Sequence, residues 1–384
     1  MNNIIWLASW YPNKYDLYNG DFIQRHAIAV SPYCNLTVVT IQFVPQNWQK
    51  EAVIVEKKEN GELREIIIYL QQSNLATPFN KLVDQWRYMK MYKKTIKEYL
   101  KENNPSLVHV HVPVKAGIIG LWLKRKLGIK LIVSEHWGIY NNHALDKYIT
   151  RSWWFKRLVK KVLTNADTFI TVSNNLGESI NKMVVAKPFK VINNVVNTHL
   201  FYHTPFEISS TFWFIHVSMM NHPKNPKGII DAFARVVKEN KNCRLRMVGN
   251  ANKQLIAYAS SLGLNNYIEF TGMLPKEEVA NLMRQSHAFI LFSNYENMPC
   301  VIAESLCCGV PVIATNVGGI PEVIDSSNGI LVEPENTEGL AIKMRFMLDN
   351  SLQYDKRNIA TVATNKYCYE IIGKQLLAIY QNAY

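Results

Sequence analysis

Three patterns are missing from this chain of 384 residues: no two aspartates stand two positions apart, no two cysteines carry C-x-x-C spacing, and no apolar run reaches the length of a membrane span. The first absence removes the D-x-D arrangement that can hold a divalent metal against a phosphate. The second leaves the cysteines at 34, 243, 300, 307, 308 and 368 without metal-type spacing to histidine, so unpaired and mostly buried thiols are expected. The third, together with an N-terminal stretch that has no basic start and too short an apolar run for a leader, predicts a cytoplasmic chain. With 48% hydrophobic and 19% charged residues there is no bias toward disorder or a fibrous repeat, and the length suits two domains.

Positive charge is unevenly placed. Residues 1–200 carry 27 Lys and Arg against 14 Asp and Glu, whereas residues 201–384 carry 16 against 16, so the whole net charge of +13 lies in the first half. Segments 86–97 and 147–161 interleave Lys and Arg with Trp, Tyr and Phe. Two readings stay open: docking on an anionic membrane surface, with aromatics at headgroup level, or amphipathic helices whose aromatics turn inward. Nucleic acid is not expected, because no binding motif accompanies the charge.

Apolar runs alternate with helical patterns in both halves. Strands are predicted at 4–8, 36–41, 65–69, 107–112, 131–134 and 168–172, then at 212–217, 245–249, 268–271, 288–293, 310–314 and 329–332. Helices are predicted to begin near Gly20, Gly117 and Arg151 and to span 226–238 and 276–285. This alternation specifies an α/β fold class: two Rossmann-like, doubly wound parallel-sheet domains facing a cleft. The first covers 1–200 and the second 201–366, with the polar stretch 197–211 as hinge. Ligands of such sheets lie outside the carboxyl ends of the strands, which here face the cleft.

The most informative segment runs from Ser293 to Glu322. Glu296 follows an apolar strand, Pro299 can open a helix because its missing N–H would be unpaired there, and Glu304 falls inside that helix. Seven residues lie between the glutamates, the first in the loop and the second one to two turns into the helix, a separation of roughly 8–10 Å along the axis that suits opposite ends of an elongated polar ligand. The helix N-terminus between them offers N–H groups and positive dipole to an anion such as a diphosphate. A Val-Pro-Val-Ile-Ala strand and Gly318-Gly-Ile-Pro-Glu322 follow. In this setting the segment resembles the E-x7-E region of retaining GT-B glycosyltransferases of family 4 (glycosyl transferases group 1).

The resemblance spans nearly the whole chain and implies that the second domain holds a nucleotide-diphosphate sugar as co-substrate, with no cofactor and no metal, while the first binds the acceptor. It implies Glu296 as a donor-sugar contact, Glu304 as the ribose clamp, and residues 367–384 as a last helix returning to the first domain. Asn297, Met298, Pro299, Cys300 and Val301 would shape the donor pocket. After the first strand of the second domain the family has an Arg and a Lys five positions apart; Lys224 matches the Lys, and Met219 stands where the Arg would be. Lys227, His222 or a basic residue of the first domain could substitute. Gly20 resembles the glycine of the family's first loop, beside the diphosphate, and Arg25 is an acceptor- or anion-binding candidate. His136 matches a strand-end histidine beside the donor sugar. His109 and His111, alternating on one strand, are read as structural.

Catalytic candidates are thus His136, Glu296 and Lys224, with front-face attack by an acceptor hydroxyl assisted by the leaving phosphate. The acceptor implied is a glycan or lipid-linked sugar of bacterial cell-surface assembly. Alternatives are a nucleotide-sugar 2-epimerase of similar architecture or a non-catalytic sugar-nucleotide-binding protein.

Overall fold

The computed structural model describes residues 2–74, 79–141, 144, 146–205 and 211–382. The middle of the expected hinge, 206–210, and the last two residues of the expected terminal helix lie outside them.

The first half forms β1 (Asn3–Ala8), α1 (Asp21–Val30), β2 (Asn35–Val44), β3 (Val53–Asn60), β4 (Leu63–Gln71), α2 (Phe79–Tyr99), β5 (Leu107–His111), α3 (Ala116–Leu127), β6 (Lys130–Glu135), α4 (Trp153–Asn165), β7 (Thr168–Thr171), α5 (Asn174–Met183) and β8 (Lys190–Val191). These strands build a sheet of order β3-β4-β2-β1-β5-β6-β7-β8. Its central strands are buried on both faces, as in β1, where Ile4 to Ala8 are all inaccessible, because helices cover both sides. Helix α1 packs on one face through Ile23, Ala27 and Val30, and α2 to α5 cover the other.

One strand departs from the parallel pattern. β3 runs antiparallel to β4 across the short turn at Gly61, whose φ of 56° suits glycine. Its sequence is half charged and its outer edge unpaired, so it lacks the apolar run that marks the buried strands.

The second half contains β9 (Phe212–Val217), α6 (Pro226–Glu239), β10 (Cys243–Val248), α7 (Lys253–Ser261), β11 (Ile268–Gly272), α8 (Lys276–Arg284), β12 (Ala288–Leu291), α9 (Cys300–Cys307), β13 (Val312–Thr315), β14 (Gly329–Val332), α10 (Thr337–Asn350), α11 (Lys356–Tyr367) and α12 (Tyr369–Gln381). Its sheet is wholly parallel, in the order β11-β10-β9-β12-β13-β14. The order reverses direction at β9 and β12, and their carboxyl ends open on the cleft.

Helix α12 lies against α1 and the first sheet. Tyr380 there accepts a hydrogen bond from Trp6 Nε1 at 3.1 Å, and its hydroxyl meets His109 Nδ1 at 2.9 Å. His109 also contacts Ser134 Oγ at 2.7 Å, so its ring is engaged inside the fold. On α2 and α4 the aromatics divide: Tyr88, Tyr92 and Tyr99 turn inward and are buried, whereas Trp86 is 61% exposed, Trp153 59% and Trp154 67%. The Trp153 and Trp154 rings stack 3.9 Å apart. Among the described residues no helix is long and apolar enough to cross a membrane.

Candidate active site

The loops after β9 and β12 supply the first polar group. Lys224 closes a single 3-10 turn, His222–Lys224, that Pro223 opens and Asn225 ends. Asn225 adopts φ 45° and caps α6 by accepting from Gly228 N at 3.1 Å. Asn294 N donates to Pro223 O at 2.8 Å, which brings the two loops together. Lys224 Nζ therefore reaches Glu296 Oε1, which also accepts from Ser293 Oγ at 2.7 Å. Lys224 and Glu296 line one cavity of about 390 Å³ with His136, Asn297, Met298 and Cys300.

Pro299 occupies the N-cap of α9, and Cys300 is its first residue. Burial pushes the Cys300 thiol up to about 12, so it stands at the helix N-terminus as a neutral group rather than a nucleophile. Glu304, only 6% exposed, lies a turn further on and accepts from Arg25 Nη1 at 2.8 Å. Arg25 also donates to Val195 O at 3.1 Å and to Asp21 at 2.8 Å, and Lys276 reaches the same Asp21 oxygen at 2.8 Å. Burial works to raise the Asp21 pKa, but Arg25 and Lys276 outweigh it and hold the carboxyl below its usual range. Two cations and two carboxylates, drawn from both domains, thus pair around a second cavity of about 260 Å³, with the buried Arg25 Nε left without a partner. Met219, Val301, Val248, Gly249, Met273 and Leu274 complete its wall. The two cavities share Cys300, so Glu296 and Glu304 stand in adjoining chambers on either side of the α9 N-terminus.

Across the cleft β6 ends in Glu135, and His136 follows it. Glu135 is inaccessible; its Oε1 accepts from the backbone N–H of His136 (2.8 Å) and Trp137 (2.9 Å), and its Oε2 from Tyr140 OH (2.9 Å). Burial raises it to about 7 against the pull of those donors. The turn it pins holds the His136 ring beside Phe22, centroids 4.9 Å apart, with Nε2 3.3 Å from His111 Nδ1. Burial keeps His136 well below the usual histidine range, so the ring is neutral, and its Nδ1 is buried without a protein partner. A neutral ring of that kind can bond a hydroxyl but adds no charge to the site.

The Gly-Gly-Ile-Pro-Glu run closes the arrangement. Gly318 has φ 57°, and a Cβ there would lie 1.8 Å from Glu296 O, so only glycine fits. Gly319 N donates to Asn297 O (2.8 Å), and Asn297 Nδ2 donates across the cleft to His136 O (2.8 Å). Glu322 caps the N-terminus of α5, accepting from Asn174 N (2.8 Å) and Asn175 N (2.7 Å).

The structure therefore brings Lys224, Glu296, Asn297, Met298, Pro299, Cys300 and His136 to one chamber, and Glu304, Val301 and Arg25 to the next. Gly20 lines neither; its glycine identity follows from φ 66° at the N-cap of α1 and from a Cβ position 2.7 Å from the Trp10 carbonyl carbon. Arg25, read from sequence as a candidate for an acceptor or anion, is already matched by Glu304 and Asp21. Of the suggested substitutes for a cation at Met219, Lys227 lies over the Tyr258 ring, 4.7 Å from its centroid, whereas Arg25 of the first domain shares a chamber with Met219, as does Lys276 of the second domain, which was not among those suggested. Sequence reasoning missed Asp21, Lys276 and Asn194. Asn194 Nδ2 donates to Met298 O at 2.8 Å, and an Asn-Asn pair at a domain end carries no signal of that bond.

Comparison with known proteins places the fold in a family. A family model for glycosyl transferases group 1 matches residues 206–365, and one for glycosyltransferase family 4 matches 52–200. The N-acetyl-alpha-D-glucosaminyl L-malate synthase of Bacillus anthracis is 24% identical over 75% of this chain and 76% of its own. Among solved structures, sucrose-phosphate synthase from Thermosynechococcus elongatus superposes with a TM-score of 0.77 at 19% identity over 100% of this chain and 99% of its own. Anabaena HepE in complex with UDP and glucose superposes with a TM-score of 0.72 at 17% identity over 100% of both chains. The two matched models adjoin and between them take in most of both domains, and the chain belongs to the GT-B glycosyltransferases of group 1, family 4, enzymes that take a glycosyl group from a nucleotide sugar.

Proposed function

We propose that this glycosyltransferase retains the anomeric configuration, works without a metal, and acts on a glycan or lipid-linked acceptor in cell-surface polysaccharide or lipopolysaccharide assembly at the cytoplasmic face of a membrane. The observation that carries the reading is the placement of Glu296 with Lys224, and of Glu304 with Arg25, in adjoining chambers flanking the α9 N-terminus. In this reading the nucleoside sits beside Val248 and Met273 with its ribose on Glu304. The diphosphate meets the first N–H groups of α9 and Lys224, while Arg25 and Lys276 add positive charge near the Met219 position. The sugar lies against Glu296, Asn297 and His136, whose buried Nδ1 can bond a hydroxyl.

The sugar's C–O bond to the diphosphate breaks, the acceptor oxygen joins the same face, and the acceptor proton passes to the leaving phosphate oxygen. Lys224 offsets the charge that develops on that oxygen, and Glu296, paired with it, fixes its position. Thermal stabilisation and nucleotide release across a panel of nucleotide sugars, beginning with UDP-glucose, will identify the donor. Glu304→Ala and Lys224→Ala should each lower turnover at least 100-fold; full turnover in both would refute the site. Proton NMR of the product's anomeric centre tests retention, and unchanged rates in EDTA test metal independence.

The exposed Trp86, Trp153 and Trp154, set among the lysines of α2 and α4, support docking on an anionic bilayer. Cosedimentation with phosphatidylglycerol vesicles should be strong at low salt and weak at 0.5 M NaCl. Replacing the three tryptophans by Ser should abolish it while leaving nucleotide binding intact.

A further inference from the structure

A third cavity, of about 510 Å³, continues the cleft beyond Glu296 and shares Tyr295 with the chamber of Lys224 and Glu296. Both domains build it. Asn141 and Asn175 come from the first, Asn294 and Asn316 from the second, so four side-chain amides line one space. An amide presents donor and acceptor together, as a sugar hydroxyl does, and so matches hydroxyl-rich ligands better than apolar or purely anionic ones. Asn294 Oδ1 is buried and has no hydrogen-bond partner, an acceptor awaiting a donor. The rings of Tyr140 and Tyr295 supply the apolar patches that a pyranose C–H face can cover.

Charge narrows the class further. Glu333 and Glu335 stand on this wall, and no Lys or Arg is among its described lining residues. Glu333 is tied only to an amide, accepting from Asn316 Nδ2 at 3.1 Å. A phosphate- or carboxylate-bearing ligand would meet two carboxylates, with the His222 imidazole and neither Lys nor Arg to set against them. The nucleotide end of the cleft differs in having two cations, Arg25 and Lys276, that balance its carboxylates Asp21 and Glu304.

We propose that this cavity is the acceptor subsite and that it accepts a neutral or amino-bearing saccharide rather than an acidic one. The inference rests on the donor assignment above, since it places the acceptor at the far end of the same cleft. In the transfer the saccharide's hydroxyl oxygen forms the new bond to the anomeric carbon, the bond to the nucleoside diphosphate breaks, and the hydroxyl proton leaves on the released phosphate.

Saturation-transfer NMR on the full-length protein, with UDP present in every sample, tests the idea. The probes are chitobiose (neutral), the glucosamine disaccharide (cationic) and digalacturonic acid (anionic). The first two should give signal and the third none. Asn294→Leu should cut the chitobiose signal at least fivefold while the UDP signal persists, and removal of an unpaired buried acceptor should leave the fold intact. The Glu333→Gln/Glu335→Gln double variant should admit digalacturonic acid. The proposal is overturned if the anionic probe binds the unaltered protein best, if no saccharide binds while UDP does, or if Asn294→Leu leaves chitobiose unaffected. Absence of UDP signal from the unaltered protein would instead overturn the donor assignment.

Discussion

Arg25 and Glu304 illustrate what single residues contribute. Both are buried and depend on each other for charge, so Arg25→Met leaves a carboxylate uncompensated and should cost about 3 kcal/mol in urea unfolding, with Arg25→Lys recovering part of it. Glu135 gives a pH signature. Its pKa rises to about 7 in the fold from a usual value of about 4.3, so the native state holds its proton more tightly than the unfolded chain does. The native state therefore pays nothing for this group at pH 4, an increasing amount as pH climbs, and the full penalty above pH 7. Glu135→Gln should accordingly gain stability relative to the parent between pH 5 and 7.5, read as a widening difference in Tm. The cleft-side placement of Glu296, Glu304 and Lys224 was legible in the sequence because each lies in a short string whose local structure fixes its direction. The partners were not: Arg25 and Glu304 are 279 positions apart, and only the meeting of two domains joins them.

At the scale of elements, the buried parallel strands were readable because burial on both faces leaves continuous apolar runs such as 4–8 and 288–291. β3 was not, since an exposed antiparallel edge needs no such run and its charged residues read as loop. The aromatic helices α2 and α4 show a second limit: sequence periodicity could not decide which way their tryptophans face, and packing leaves Trp86, Trp153 and Trp154 outside. Helix α9 depends on the turn that abuts its leading loop. Gly318→Ala would drive a methyl into the Glu296 carbonyl, so it should lower turnover at least 100-fold and weaken UDP binding, while circular dichroism shows the helices retained.

At the scale of the molecule, the domains meet through polar clasps spaced along the cleft: Arg25 with Glu304, Lys276 with Asp21, Asn297 with His136 O, and Glu322 with the α5 N-terminus. They add to apolar contacts, since buried residues of both halves join one hydrophobic cluster, and as polar pairs they can part and re-form when the cleft opens and closes around substrates. Glu322→Gln should loosen the last clasp and enlarge the radius of gyration of the ligand-free protein in small-angle scattering, with UDP reversing the change. The two-domain plan was legible from strand and helix alternation, but the clasps, made by single polar side chains, were not. The Tyr380 hydroxyl, shared between Trp6 and His109, sets an order of events during synthesis. The first domain leaves the ribosome long before the helix that covers α1, so a nascent chain should carry an unfinished apolar face on α1 until residues 369–381 emerge, and ribosome-stalled chains ending at 366 should recruit a chaperone that released chains containing α12 do not hold.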